Sequence, residues 1–278
     1  MKLQYWGTAA FEGIPSLFCS CPNCMRARSL GGRNLRARSQ AVIDDRLLID
    51  PNADTSLNSQ RYGFFMPAIR TVLITHGHCD HLYNDDFGIL GKHYSHGDVH
   101  LTVYGAEENL RTLRDMIAKK PASYGDRLTL CPVEAFRPFE TADGYKITPY
   151  TAAHSANALL YGIEHDGKRL LYAHDTAMLP RETLDFLARD GKRFDYISID
   201  CTFCNDPRRD PLSLTHQGLQ ENIETRGQLY EIGAADRNTV FCCNHFSHNG
   251  KDSCYDDFAP VAAAAGFLTS YDGMTVTV

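Results

Sequence analysis

The chain runs to 278 residues, 43% hydrophobic and 22% charged, with a formal charge of −6 and a pI near 6.0. This length, and an even mixture of strand and helix patterns, predicts one domain over 1–278, and the acidic balance excludes binding to nucleic acid through net charge. "MKLQYWG" leads into no apolar leader and no run approaches the ~18 residues that cross a bilayer, so a cytoplasmic location without a membrane partner is expected.

The first element is a strand over Lys2–Trp6. "FCSCPNCMRAR" at 18–28 then sets Cys19, Cys21 and Cys24 in C-x-C-x-x-C spacing. In a reducing compartment ten cysteines read as thiols and metal ligands rather than as disulfides. Three converging soft donors favour zinc over packed thiols. A redox role is weaker, because no simple C-x-x-C is expected to open the helix of a βαβ unit. Three thiolates cannot close a tetrahedral site, so a fourth ligand must come from elsewhere. The loop at about 11–38 continues as "MRARSLGGRNLRARS" and is expected to be irregular. Arg26, Arg28 or Arg38 could orient a phosphate there, but solvation or structural pairing is the expected fate of each.

Strands follow over Gln40–Ile49 and Thr71–Thr75. Directly after "TVLIT" stands "HGHCDHLYNDD", with His76, His78, Asp80 and His81 within six residues. Four such ligands on one buried strand end would repel and desolvate poorly without a cation. The H-x-H-x-D-H spacing lets His76 and His78 reach one metal while Asp80 and His81 reach a neighbour. Cys79, inside the motif, is read as a packing residue.

A strand over Val99–Tyr104 and a helix in "AEENLRTLRDMIAKK" come next, with His93, His96 and His100 read as solvated or loop-capping. Strands at Tyr145–Thr151, Leu159–Glu164 and Arg169–Ala173 follow, the last two joined through "HDGK", whose Asp-Gly pair supplies the positive φ of a tight hairpin. Strand ends deliver further donors: His154 in "YTAAHSAN", Asp175 in "LLYAHDTAM" and, after a strand at Thr239–Cys243, His245 in "TVFCCNHFSH". Rigid strands whose terminal loops carry functional side chains pin such a site. The remaining elements are helices in "RETLDFLARD", "HQGLQENIETRGQLYEI" and "SCYDDFAPVAAAAG", the last closed by Gly266, and strands at Tyr196–Asp200 and Met274–Val278. Cys201, Cys204, Cys242, Cys243 and Cys254 are read as buried core thiols. Hairpins mixed with helices favour an α/β (α+β) arrangement of mixed sheets layered between helices over a doubly wound parallel sheet.

With these residues in view, the chain resembles the metallo-β-lactamase superfamily over nearly its whole length, which implies an αββα sandwich. The resemblance further implies a binuclear centre in which His76, His78 and His154 hold one metal, Asp80, His81 and His245 the other, and Asp175 bridges them. The N-terminal "WGTAAFEGIPSLFCSCPNCMRAR" is similar to the PhnP subgroup, which includes the cyclic phosphodiesterase of the carbon–phosphorus lyase pathway and carries C-x-C-x-x-C near its start and H-x-x-H near its end. Here "HFSH" supplies His245 and His248, so the resemblance implies that His248 completes a Cys3His zinc site. In the same subgroup a histidine after the strand ending at Asp200 faces the metals, making His216 a candidate general acid beyond the irregular loop "FCNDPRRDPLS". His174 departs from the small residue that many relatives carry, which leaves a supporting or substrate-facing role open.

Two neighbouring divalent metals lower the pKa of a shared water and clamp a displacement at phosphorus; Zn, Mn and Fe all accept this His/Asp set. The expectation is a hydrolase acting on a small phosphodiester, such as a cyclic ribose or nucleotide phosphate, through a metal-bridging hydroxide, with one structural zinc besides the two catalytic metals. Catalytic roles fall to His216, as proton donor, and to Asp80 in the ligand set. Hydrolysis of a lactone or thioester is the runner-up. A noncatalytic metal-binding protein, like cofactor-pathway relatives that keep the cysteines and lose the catalytic ligands, is disfavoured by the intact ligand series. An oxygen-reducing diiron protein would usually carry a carboxylate in place of His78. Processing of tRNA ends is disfavoured by the charge. A small-molecule substrate and no stable nucleic-acid partner are expected, and a homodimer is left open.

Overall fold

A computed structural model describes residues 1–206 and 215–278; residues 207–214, in the irregular loop after Asp200, lie outside them. In chain order the elements are β1 (Lys2–Gly7), α1 (Pro22–Leu30), β2 (Gln40–Ile43), β3 (Leu47–Ile49), α2 (Thr55–Arg61), β4 (Thr71–Leu73), α3 (Asn84–Gly88), β5 (Leu101–Gly105), α4 (Glu107–Lys119), α5 (Pro121–Tyr124) and β6 (Leu128–Pro132). The second half adds β7 (Phe139–Glu140), β8 (Lys146–Thr151), β9 (Leu159–His165), β10 (Lys168–Ala173), α6 (Arg181–Asp190), β11 (Tyr196–Asp200), α7 (Leu219–Glu231), β12 (Val240–Asn244), α8 (Tyr255–Ala264), β13 (Leu268–Thr269) and β14 (Thr275–Thr277). They form two seven-stranded mixed sheets, ordered β14-β1-β2-β3-β4-β5-β6 and β13-β12-β11-β10-β9-β8-β7.

Alternation along the strands explains the layers. Tyr5, Ile43, Leu47, Ile49 and Leu73 of the first sheet meet Ile147, Tyr161, Leu170 and Tyr172 of the second in a core between the sheets. Their neighbours point the other way: Trp6, Val42, Leu48 and Val72 pack under α4 through Leu110 and Leu113. Leu171, Ile197 and Phe241 pack under α6, α7 and α8 through Leu187, Leu229 and Phe258. Both faces of each sheet are therefore apolar, and successive side chains are buried on opposite sides. Each such aliphatic or aromatic side chain contributes about 1.5–3 kcal/mol by leaving water. The layered fold expected from the sequence is the one observed. Among the described residues no helix is long and apolar enough to cross a membrane.

Two local expectations change. The single strand expected over 40–49 is a hairpin, because Asp44 and Asp45 take φ of 50° and 58° and turn the chain; the second hairpin, at "HDGK", forms as expected, with Asp166 and Gly167 at φ 50° and 69°. The Arg-rich stretch expected to be irregular begins instead as α1, with Pro22 in its first turn and Cys21 at its N-cap.

Strand direction fixes where function can sit. β3 runs parallel to β4, β10 to β11 and β11 to β12, while β8 and β10 both oppose β9 and so run the same way. The carboxyl ends of β8, β10, β11 and β12 thus emerge along one edge of their sheet.

Candidate metal centre

Six strand ends supply the site: Asp50 follows β3, His76 to His81 follow β4, His154 follows β8, Asp175 follows β10, Asp200 closes β11 and His245 follows β12. Asp50, Asp175 and His245 adopt left-handed φ of 57°, 54° and 63°. Non-glycine residues pay for that conformation, on the order of 1–3 kcal/mol each, and hold it only where neighbours over-determine it. The turn lets each strand stop abruptly and deliver its side chain into the space between the sheets.

Two groups of donors result. In the first, His78 Nδ1 lies 2.9 Å from His76 Nε2 and 3.2 Å from His154 Nε2. The edge of a tetrahedron of nitrogens around zinc is about 3.3 Å, from Zn–N distances of about 2.0–2.1 Å, so the three nitrogens are spaced to hold one ion. In the second, His81 Nε2 stands 2.7 Å from Asp175 Oδ2 and 3.3 Å from Asp80 Oδ2, and His245 Nε2 stands 3.0 Å from the same Asp175 oxygen. Asp175 turns its other oxygen, Oδ1, towards His154 Nε2 at 3.7 Å. His81 Nε2, His245 Nε2 and Asp175 Oδ2 are buried and complete no hydrogen bond. Imidazole nitrogens and carboxylate oxygens converging in that way form a donor set that would suit a divalent cation. The first group opens outward at exposed His78, whereas His81 and Asp80 are buried.

A surrounding layer orients the rings. His81 Nδ1 is 2.8 Å from Asp50 Oδ2, and Asp50 in turn accepts the N–H and hydroxyl of Thr75, each at 2.8 Å. His76 Nδ1 contacts Thr75 Oγ1 at 3.0 Å, His245 Nδ1 contacts Thr202 Oγ1 at 2.9 Å, and His154 Nδ1 lies 3.3 Å from the Thr215 carbonyl. In each case the outer nitrogen is occupied and the inner one left for a ligand. Burial, then the charge of His81, pushes His76 well below its ordinary pKa. Burial opposes charge on His81 too, but Asp175 and Asp50 outweigh it and raise that ring well above the usual value. Asp175, despite burial, is held well below the carboxylate range by His245 and His81.

His216 joins the site from the segment before α7. The helix expected from His216 starts at Leu219, because Gln217 donates its N–H to Asp200 Oδ1 at 3.0 Å and keeps this segment extended. The His216 ring stacks on His245 with centroids 5.5 Å apart, and its Nδ1 is 3.0 Å from Asp200 Oδ2. Burial would lower its pKa, but Asp200 raises it to about 9. Asp50, Asp200, Thr75 and Thr202 were not legible as site residues from the sequence. A signal existed for two of them: "LLID" and "YISID" both end a buried apolar strand on an aspartate.

A second cluster lies beyond His245. Cys19, Cys21, Cys24 and His248 bring their ligand atoms within 4.8 Å of one another. His248 Nδ1 is 3.4 Å from Cys21 Sγ and 3.6 Å from Cys19 Sγ, close to the S···N edge of about 3.5 Å for tetrahedral zinc. Burial opposes it, but the His248 hydrogen bond lowers the Cys21 thiol to about 6, while burial pushes Cys24 up to about 12. Asn23 Nδ2 donates to the carbonyls of His248 and Gly250 at 2.8 and 2.9 Å, tying α1 to this turn. The C-x-x-C of Cys21 and Cys24 opens helix α1, but not within the βαβ unit that a redox motif would use. The flanking β1 and β2 pair antiparallel, so no βαβ unit surrounds it.

The remaining residues singled out by sequence fall elsewhere. Arg26 pairs with Asp257, Arg38 with Asp54, and Arg28 donates to the Cys19 and Ser16 carbonyls. Cys201, Cys204, Cys242, Cys243 and Cys254 are buried; Cys79 is exposed, so the packing role expected of it is wrong. Cys79 lies with Gly77 and His78 on the exposed part of the loop, just before buried Asp80. His174 is buried and faces Ser198, not the mouth of the site.

Comparison with known proteins accords with this architecture. Residues 45–232 match the family model described as a beta-lactamase superfamily domain. A search of the curated proteins finds no match to the chain. Among solved structures, Zn2+-bound PqqB from Methylobacterium extorquens superposes with a TM-score of 0.76 at 20% identity, covering 100% of both chains. A diphosphatase of the PhnP family gives 0.72 at 21% identity, covering 99% of this chain and 96% of its own. The short form of human tRNase Z gives 0.69 at 13% identity, covering 100% and 99%.

Proposed function

The chain belongs to the metallo-β-lactamase superfamily, and on that premise we propose that it is a binuclear metal-dependent hydrolase of a small phosphodiester. The observation that carries the reading is the Asp175 carboxylate, with Oδ1 towards the three-histidine group and Oδ2 towards His81 and His245. We assign His76, His78 and His154 to one metal, Asp80, His81 and His245 to the other, Asp175 to both, and Cys19, Cys21, Cys24 and His248 to a structural zinc. A bound divalent pair (Zn, Mn or Fe) supplies an activated water at neutral pH and positive charge for the phosphoryl oxygens.

The chain's own groups do the rest. His216 anchors Nδ1 on Asp200 and leaves Nε2 to give its proton to the departing alkoxide. Asp50, Thr75, Thr202 and the Thr215 carbonyl keep the ligand rings in fixed tautomers, so little reorganisation accompanies the reaction. A diphosphatase and a tRNase among proteins of the same fold favour attack at phosphorus over attack at carbon. The acidic net charge favours a small substrate over a nucleic acid.

The test is turnover by metal-reconstituted protein of bis(p-nitrophenyl) phosphate and of cyclic ribose and nucleotide phosphates, run beside a lactone and an S-acyl glutathione. Cleavage of the phosphodiesters supports the proposal. Cleavage of the carbonyl substrates alone replaces it with a lactone or thioester hydrolase, and no turnover of either class leaves a noncatalytic metal-binding protein.

A further inference from the structure

A chain of buried polar groups joins the two sheets beneath the candidate metal centre. The hydroxyls of Tyr196 and Tyr5 are 3.1 Å apart, and Tyr5 donates to Ser198 Oγ at 2.7 Å. Ser198 Oγ lies 2.7 Å from His174 Nε2, and His174 Nδ1 lies 3.1 Å from Asn244 Nδ2 and 3.3 Å from Ser39 Oγ. Ser270 donates to Asn244 Oδ1 at 2.5 Å, which turns the Asn244 amide nitrogen towards the imidazole. Asn244 Nδ2 also lies 3.2 Å from Nε2, so the amide meets the ring while the Ser39 and Ser198 hydroxyls meet Nδ1 and Nε2. Every member of the chain is at most 2% exposed.

Tyr5 lies on β1 and Ser39 precedes β2, so both belong to the first sheet; Ser198 and Asn244 lie on β11 and β12 of the second. The donor groups are divided in the same way: His76, His78, Asp80 and His81 come from the first sheet, and His154, Asp175 and His245 from the second. Apolar faces tolerate small repacking, whereas hydrogen bonds are directional. Asp175, the next residue after the imidazole, has a left-handed φ of 54° and needs support from outside its own strand. Asp200 supplies it on one side by accepting the Asp175 N–H at 3.1 Å.

We propose that His174 is a positioning residue: by pinning Ser39, Ser198 and Asn244 it fixes the two sheets relative to each other, and with them the geometry of both donor groups beside Asp175, each of which draws ligands from the two sheets. The inference rests on the binuclear reading above. It follows from where the polar chain lies, since a packing role alone would be served by an apolar side chain of similar volume.

The test compares wild type with His174→Leu, which keeps volume and removes both nitrogens, and His174→Gln, which restores a donor and an acceptor. Loaded with Mn2+, wild type is expected to show a spin-coupled pair. His174→Leu should keep the fold by circular dichroism and one chelation-resistant zinc, yet bind the Mn2+ pair at least about tenfold more weakly and lose the coupling, and His174→Gln should recover part of both. Should His174→Leu not fold, Ser198→Ala removes the hydroxyl that meets Nε2 and is expected to weaken the pair in the same direction. Wild-type Mn2+ affinity and coupling in the folded variant, or metal loss only in proportion to unfolded protein, would overturn the positioning role. A wild-type protein that binds no Mn2+ pair would overturn the binuclear reading, and the positioning role with it.

Discussion

Asp200 Oδ2 lies 3.0 Å from His216 Nδ1 and accepts the backbone N–H of Asp175 at 3.1 Å, so one buried carboxylate aligns the proposed proton donor and the proposed bridging ligand together. Replacing His216 by Asn is expected to lower kcat by about 10²–10⁴-fold while leaving the metal content as in wild type. Because Asp200 overcomes burial to raise the His216 pKa, the donor stays protonated to the alkaline side, and activity should fall as pH rises through that pKa. In Asp200→Asn the fall should begin at lower pH. A pH–rate profile decides: an alkaline limb unmoved by Asp200→Asn, at unchanged metal content, would remove the pairing from the mechanism.

Metal analysis separates the two clusters. Purified protein is expected to carry about three metals per chain, with two removed readily by a chelator and one retained, since a four-ligand thiolate site holds zinc more tightly than a centre kept open for substrate. Cys21→Ser should lose the retained metal and lower the melting temperature. His81→Ala should lose metal from the pair and keep the retained zinc, because His81 sits between Asp50 and Asp175 and touches neither the cysteines nor His248. Two metals with unchanged stability in Cys21→Ser would contradict the zinc knot.

The sequence made the inner donors legible because metal ligation demands particular residue types at close spacing, as in "HGHCDH", or at strand ends, as with His154, Asp175 and His245. The supporting layer was hidden for a physical reason: Asp50 and Thr202 act through contacts between elements far apart in the chain, and neither residue type is restricted to that use. The hairpin at Asp44–Asp45 was missed because two aspartates with positive φ carry a weaker turn signal than the Asp-Gly pair at 166–167. Helix α1 was missed because "MRARSL" has no strong apolar stripe; Cys21, Pro22 and the contacts of Asn23 establish it.

Stability should depend on pH through Asp272, which accepts hydrogen bonds from Thr8 Oγ1 at 2.7 Å and Ala37 N at 2.6 Å. Burial outweighs these bonds and raises its pKa to about 6. In the unfolded chain the carboxyl titrates near its ordinary value of about 3.9, so between these values the folded state binds more protons. Stability from this group is therefore lost as pH rises from about 4 to about 6, by on the order of 3 kcal/mol, and is level above that. Urea unfolding of wild type and Asp272→Asn over this range tests it. The stability of wild type relative to Asp272→Asn should fall with rising pH, and a constant difference would rule the assignment out.

Gly7 is the position where a single methyl group should disturb the centre from outside it. It pairs with Gln40 past a register shift in β1, and a Cβ there would stand 1.8 Å from the Arg38 carbonyl oxygen and 2.8 Å from its carbon. Those are backbone atoms, which no change of rotamer can move away. Relief requires shifting either Arg38–Ser39 or Thr8–Ala9. The second pair is tied to the segment after β12, since Phe246 N donates to the Thr8 carbonyl at 2.9 Å and Ala10 N to the Phe246 carbonyl at 2.8 Å. Phe246 lies between His245 and the turn that carries His248, so the strain is transmitted to both clusters. Gly7→Ala is expected to cost about 1–3 kcal/mol or more in urea unfolding and, in the protein that remains folded, to weaken metal retention at both centres. Full retention of metal together with wild-type stability would mean that this corner yields freely, and that β1 does not brace the His245–His248 segment.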